Sequence, residues 1–151
     1  MLSFFSWNGR IGRVRYLAWS FGLFLLCMLV PLPFVVFNAI FFNLASTNSP
    51  SLSAAPTIAV FIVQAIALIC FIVIFSVKRL HDLNRSGWWI LLVFVPIANL
   101  LLIIYMFFFS GSGDHNDYGS PPPANSFGVY ILMWIYITIH LLTIILSVIR
   151  L

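Results

Sequence analysis

Long runs of apolar residues, separated by short polar connections, dominate the chain. Four of these runs reach the length of about 20 residues that an α-helix needs to cross the hydrocarbon core of a bilayer. They cover residues 17–42, 57–77, 88–109 and 127–149. Because backbone groups in lipid must hydrogen-bond within their own segment, we expect each run to be helical. The pattern predicts an all-α, polytopic membrane bundle with four transmembrane helices, forming a single membrane domain over residues 1–151.

Proline interrupts two of the predicted spans. Pro31 and Pro33 lie near the far end of the first span, where they should kink or end the helix. Pro96 lies near the middle of the third, three residues before Asn99. A re-entrant segment that enters and leaves the bilayer on the same side is therefore an alternative for residues 88–109. The full crossing is preferred, because these residues give a helix of about 33 Å, long enough to cross.

The composition excludes an ordinary soluble domain. The chain is 63% hydrophobic and only 7% charged, whereas soluble domains are about 25% charged. The net charge of +4 comes from a few basic residues at the ends of the apolar runs. That placement is typical of residues that set membrane orientation and contact lipid phosphates, so no nucleic-acid partner is predicted.

The distribution of Lys and Arg predicts an orientation. All seven basic residues lie in the N-terminal segment, in the connection 78–87 or at the C-terminus, as Arg150. The connections 43–56 and 110–126 contain none. Since short cytosolic loops carry the excess of basic residues, both termini and residues 78–87 are expected to be cytosolic. The other two connections are then expected to face outward.

Three segments together carry a family resemblance. They are residues 9–16 (GRIGRVRY), 78–89 (KRLHDLNRSGWW) and 111–122 (GSGDHNDYGSPP). In order and spacing they resemble the family called domain of unknown function 805, over roughly residues 4–122. The family tends to place an acidic residue where Arg15 stands and a basic one where Asp117 stands. The resemblance implies a multi-pass protein of the bacterial inner membrane and a compact helical bundle, and it implies no reaction.

The densest polar set lies in the second of these segments. It consists of Arg79, His81, Asp82 and Arg85. In a helix, Asp82 would lie three residues from each arginine and could pair with either, and His81 could titrate near neutral pH. This set is interpreted either as a proton-responsive or anion-binding site at the cytosolic mouth, or as a tight turn pinned by an Arg–Asp pair.

Arginines of the N-terminal segment form a second candidate. A spacing of three residues places Arg10 and Arg13 on one helical face, with Arg15 turned away. Such a pair could bind a phosphate or an anionic lipid. It could equally serve only to orient the chain through loose contact with headgroups, which requires no pocket.

Polar groups inside the predicted spans are a third candidate. Gln64, Asn99 and His140 are the residues in question. Intramembrane polar groups face other helices or a cavity and can mark a transport pathway. Amides in such positions commonly act as hydrogen-bonding contacts between helices, which is the preferred interpretation here.

Metal and cofactor chemistry is not predicted. Asp114, His115 and Asp117 offer oxygen and nitrogen ligands within four residues, but their spacing fits no EF-hand loop. A solvated loop rich in Gly and Pro is the preferred interpretation. No nucleophile, phosphate-loop or zinc-protease motif is present in the sequence.

These observations favour a structural or accessory membrane protein over an enzyme. Its cytosolic Arg/His/Asp face is expected to meet anionic lipid headgroups or a membrane partner protein, and a homo-oligomer is compatible with the sequence. The alternative is a small oligomeric transporter, channel or flippase for an anionic or lipid-linked solute.

Overall fold

The computed structural model describes residues 7–33, 35–37, 40 and 50–149, with the backbone alone for residues 50–57. Its α-helices are α1 (Arg13–Leu29), α2 (Pro50–Asp82), α3 (Pro96–Phe108) and α4 (Phe127–Ile149), and a 3₁₀ helix (Gly87–Phe94) precedes α3. Within these residues the only β-type pairing is an isolated bridge between Asn116 and Gly119. The prediction of an all-α fold is confirmed.

Three helices in the described ranges are long and apolar enough to cross a bilayer. They cover Arg13–Phe37, Ile58–Asp82 and Phe127–Ile149. The first contains a bend at Val30, directly before the first of the two prolines, as expected from the missing proline N–H. Residues 41 and 42, predicted to end this span, lie outside the described residues.

The fourth apolar segment does not form one continuous helix. The 3₁₀ helix ends at Phe94, Val95 is extended (φ −107°, ψ 111°), and α3 starts at Pro96. Because proline cannot donate to the preceding turn, the hydrogen-bond ladder breaks at this point. Helix α3 has 13 residues, which span only about 20 Å.

The two halves of this segment fold back on each other as a hairpin, residues 87–108. Arg85 Nε, just before the hairpin, lies 3.4 Å from the Tyr105 hydroxyl to which it donates. Trp89, near its start, lines the same cavity as Tyr105 and Phe109. A straight helix would separate residues 85 and 105 by about 30 Å. The straight helix predicted over 88–109 is therefore corrected to a hairpin, which is the chain path that the re-entrant alternative requires.

The described chain divides into two compact units, one formed by Met1–Gly22 and Ile72–Leu151 and the other by Leu23–Phe71. In the first unit, α1 and the end of α2 run antiparallel. The Ile11 amide donates to the Lys78 carbonyl at 3.3 Å, and the Trp19 and Phe75 rings are 5.5 Å apart. We call the end of this unit where α1 begins and α2 ends the polar end; it comprises residues 7–15, 78–86 and 110–126.

Helix α4 runs in the same direction as α1. Arg15 donates to the carbonyl of Ala124, just before α4, while six residues later the Phe21 ring lies 5.1 Å from the ring of Tyr136. Parallel helices that both cross a bilayer end on the same side. The prediction that both termini are cytosolic is therefore incompatible with two full crossings by α1 and α4. Arg150 itself lies outside the described residues.

The second unit contains an apolar groove of about 470 Å³ between α1 and α2. Gln64 lies in its wall and donates from Nε2 to the carbonyl of Cys27, which joins the two helices. Side-chain amides within membrane helices commonly form such hydrogen bonds between helices.

Candidate functional site

The end of α2 brings the charged residues of the second family-like segment into position. Asn84 adopts a left-handed backbone conformation (φ 54°), which an Asn tolerates better than most residues. The Arg85 amide then donates to the Leu80 carbonyl at 2.8 Å, and the Asn84 amide donates to the His81 carbonyl at 3.0 Å. This hydrogen-bonding pattern ends the helix and turns the chain sharply toward the hairpin.

Asp82 lies at the centre of a buried ion cluster. Its Oδ1 accepts from Arg10 Nε at 3.2 Å and from Arg10 Nη2 at 3.1 Å. Its Oδ2 accepts from Arg79 Nη1 at 2.6 Å. The exposed fractions of Arg10, Arg79 and Asp82 are 3%, 0% and 2%. A carboxylate removed from water in this way is stable only with close, hydrogen-bonded cations, and Asp82 has two.

The remaining donors of the two arginines bind backbone carbonyls. Arg10 Nη1 donates to the carbonyls of Asp114 (2.8 Å) and Gly119 (3.0 Å), and its Nη2 also donates to that of Ser112. All five N–H groups of Arg10 therefore have acceptors. Arg79 likewise donates to the carbonyls of Met106 and Phe109 at the end of α3.

The loop after α3 is held against α2 by further contacts. The Ser112 amide donates to the Asp82 carbonyl at 2.9 Å, and Asn116 Nδ2 donates to the His81 carbonyl at 2.8 Å. The rings of His81 and Tyr118 stack in parallel, with centroids 3.9 Å apart. The loop 110–126, predicted to face outward, thus lies at the polar end beside residues 78–85, which corrects that expectation.

Gly111 is required by the closeness of this loop to the cluster. A Cβ atom at Gly111 would overlap the carboxylate of Asp82, whereas one at Gly113 would meet nothing within 4 Å. The backbone can therefore pass over the ion cluster only at a residue without a side chain.

The structure separates the predicted headgroup-binding residues into two groups. Arg10, Arg79 and Asp82 are buried and bonded to one another, whereas Arg13 and Arg85 are exposed. The predicted shared helical face of Arg10 and Arg13 is wrong, because α1 begins only at Arg13 and Arg10 lies before it, outside any helix. Asp82 pairs with Arg79 and not with Arg85, whose guanidinium lies 5.3 Å from the centre of the Trp89 ring.

The sequence does not indicate the contacts of Ser112 and Asn116, nor the burial of Arg15. Ser112 and Asn116 bind α2 through loop contacts that no local spacing reveals. Arg15 was expected to turn away but is buried, with an exposed fraction of 4%. The glycine-rich character of segment 111–122 was the only sequence signal that the backbone comes close to other groups there.

The other predicted polar contacts have different environments. Asn99 lies in α3, and its Oδ1 is buried without a hydrogen-bond partner in the described structure. His140 is exposed, and its Nδ1 bonds the Tyr136 carbonyl of its own helix at 2.9 Å. The predicted interhelical contact of His140 is therefore not present among the described residues.

The charged groups of the cluster bind other groups of the protein itself. The Asp82 carboxylate accepts three charge-assisted hydrogen bonds, which hold the guanidinium groups of Arg10 and Arg79 in place. Among the described residues there is no group of three or more His, Cys, Asp or Glu side chains that could hold a metal ion. Asp114 contributes its carbonyl to Arg10 and keeps its exposed side chain outside the cluster.

Comparison with known proteins gives a family match and two kinds of relative. The model of a family described as "Protein of unknown function (DUF805)" matches residues 4–120. The chain is 41% identical over 51 residues to "Inner membrane protein YhaI" of Escherichia coli (strain K12), covering 34% of this chain and 43% of the relative. It is 40% identical over 45 residues to "Inner membrane protein YhaH" of the same strain, covering 30% and 37%. The matches thus span less than half of these relatives, and no solved structure matches.

Proposed function

The chain belongs to the DUF805 family of proteins of unknown function, and from that premise we propose that it is an inner-membrane protein with a structural or accessory role. In this proposal its polar end lies at the cytosolic surface and contacts anionic lipid headgroups. The observation that carries the proposal is that Arg10 and Arg79 form their hydrogen bonds within the protein. Their donors hold the loop and the hairpin in place, so binding at the surface is left to other cations.

Those cations are Arg13 and Arg85. Both are exposed at the polar end, where the apolar helices begin or end. Trp88, next to the Ser86 cap of the 3₁₀ helix, has an exposed fraction of 77%, and Trp is enriched at headgroup depth. A basic residue near an anionic surface contributes about 1 kcal/mol of attraction, so two such residues give a selective but modest preference.

The membrane topology in this proposal has three crossings and one re-entrant hairpin. Helices α1, α2 and α4 cross, while the hairpin 87–108 enters and leaves the bilayer on the cytosolic side. The two ends of the hairpin lie close together at the polar end, which supports this arrangement. The C-terminus is then placed outside.

The headgroup proposal is tested by the lipids that copurify with the protein. The double variant Arg13→Gln/Arg85→Gln is expected to lose its enrichment in phosphatidylglycerol over phosphatidylethanolamine, measured by mass spectrometry of extracted lipid. Arg150→Gln is the control, because it removes one cation away from the polar end. Unchanged enrichment in the double variant would refute a headgroup role for these two residues.

The transporter alternative predicts a water-accessible path along the polar groups of the spans. The groove beside Gln64 is lined almost entirely by apolar side chains from Leu23–Phe71, and Asn99 and His140 lie on different helices. We therefore rank the accessory role first.

A further inference from the structure

Arg15 is a buried cation outside the ion cluster. Its exposed fraction is 4%, yet neither of the two ion pairs found among the described residues includes it. Its Nη2 donates to the carbonyls of Pro123 at 3.1 Å and Ala124 at 2.9 Å. Its Nη1 is buried and has no hydrogen-bond partner in that part of the chain. The centre of the Trp19 ring lies 5.6 Å from Arg15 Cζ, but a cation–π contact supplies no hydrogen-bond acceptor for Nη1. A buried charge without a counter-ion is costly, so this nitrogen calls for an anionic acceptor.

Arg15 contacts the segment that leads directly into α4. Pro123 and Ala124 stand four and three residues before Phe127, the first residue of this 23-residue helix. The Ser126 carbonyl accepts from the amides of Val129 at 3.0 Å and Tyr130 at 3.4 Å, while the amides of Phe127 and Gly128 have no carbonyl one turn earlier in the helix to bind. A Cβ atom at Gly128 would meet nothing within 4 Å, so this side of the turn is open.

We propose that Arg15 and the first turn of α4 form a binding site for one phosphate group at the cytosolic membrane surface. Helix amino ends bind phosphate through free N–H groups and the positive end of the helix dipole. The guanidinium adds a charge-assisted donor with planar geometry suited to phosphate oxygens. The phosphate belongs either to a phospholipid headgroup or to a free phosphate ion. The site uses neither Arg13 nor Arg85, and only its placement on the cytosolic side rests on the topology proposed above.

Native mass spectrometry of the full chain in detergent tests this site, with phosphatidic acid titrated as the probe. Arg15→Gln is expected to lower the affinity for the first bound lipid about tenfold, since a hydrogen bond to a charged group is lost. Arg150→Gln is the control, with the same change of charge at a residue that follows α4 in the sequence, and is expected to leave this first affinity unchanged. Equal retention by Arg15→Gln and the wild type would overturn the proposal.

A second variant keeps the test informative if Arg15→Gln does not fold. Gly128→Asp places a carboxylate in the first turn of α4, where it stabilises the helix and repels a phosphate. It is expected to weaken the first lipid about as strongly as Arg15→Gln, and unchanged binding would count against the site.

Competition identifies the source of the phosphate. If inorganic phosphate displaces the first lipid from the wild type, the site recognises the phosphate group itself. Failure to displace it, with loss of binding in the variants, assigns the site to a phospholipid. The two proposals have separate readouts: the lipids that copurify with Arg13→Gln/Arg85→Gln test the headgroup surface, whereas the first phosphatidic acid bound by Arg15→Gln tests this site.

Discussion

At the scale of single residues, Asp82 connects three parts of the chain that are far apart in sequence. Its carboxylate binds Arg10, which lies 72 residues away, and Arg79 on its own helix. Its carbonyl accepts from the Ser112 amide in the loop after α3. The two arginines bring two positive charges to one carboxylate, so removing that carboxylate leaves both charges buried and unpaired.

Asp82→Asn is therefore expected to destabilise the fold by about 3–5 kcal/mol, the range found when one partner of a buried pair is removed. The measurement is thermal unfolding of the purified protein in detergent, followed by the loss of monodisperse protein on size exclusion. Asp117→Asn is the matched control, because Asp117 is exposed and its replacement should leave the unfolding temperature unchanged. An Asp82→Asn protein as stable as the control would contradict the structural role of the cluster.

Gly111→Ala is expected to disrupt the loop through a single added methyl group. The new Cβ would overlap the Asp82 carboxylate, so either the ion pairs or the loop must move. Gly113→Ala adds the same methyl group into open space and serves as the control. Limited proteolysis should cut the loop 110–126 faster in Gly111→Ala than in Gly113→Ala, and equal cutting rates would refute the close approach.

The sequence could predict only part of this cluster, and the reason is distance along the chain. The Arg79–Asp82 pair follows from helical spacing alone. Arg85 has the same spacing to Asp82, but the left-handed residue Asn84 ends the helix before it. The bonds from Arg10 to Asp82, Asp114 and Gly119 join residues 72 to 109 positions apart, and no periodicity reports such contacts.

At the scale of elements, the segment after α2 shows how length alone misleads. Its 22 apolar residues are long enough to cross a bilayer, and the hydropathy of a hairpin and of a crossing helix is the same. Pro96 is the one residue that argued for a break, and the structure places the break there. The hairpin is favoured because Arg79 binds carbonyls at the end of α3. Arg79 can reach these carbonyls only if the chain turns back toward α2.

Crosslinking distinguishes the hairpin from a crossing helix. The variant carries Arg85→Cys and Tyr105→Cys in a Cys27→Ser/Cys70→Ser background. A short bismaleimide should join the two new cysteines, which then no longer react with a maleimide mass tag. A straight helix would separate the two positions by about 30 Å, beyond such a reagent. Arg85→Cys with Phe94→Cys is the control, since the tip of the hairpin lies about 16 Å along the 3₁₀ helix. No crosslink between positions 85 and 105 would restore the straight crossing.

At the scale of the whole molecule, the direction of α4 changes the orientation argument. Six of the seven basic residues belong to the polar end, and only Arg150 follows α4. The excess of basic residues on one side therefore persists with three crossings and a hairpin, and still favours a cytosolic polar end. With four crossings, all seven basic residues lie on one side of the membrane. With three crossings and a hairpin, only Arg150 moves to the other side, so the distribution of basic residues does not distinguish the two arrangements.

Reporter fusions measure this topology directly in bacterial cells. Fusions after Ala124 are expected to be fluorescent with a cytosolic reporter and inactive with alkaline phosphatase, because the loop 110–126 lies beside Arg10 and Asp82. Fusions after Leu151 are expected to show the reverse, since α4 runs parallel to α1 and carries the chain across. Fusions after Arg85 serve as the cytosolic control. Phosphatase activity after Ala124 with cytosolic fluorescence after Leu151 would instead support four full crossings and remove the basis for a cytosolic loop.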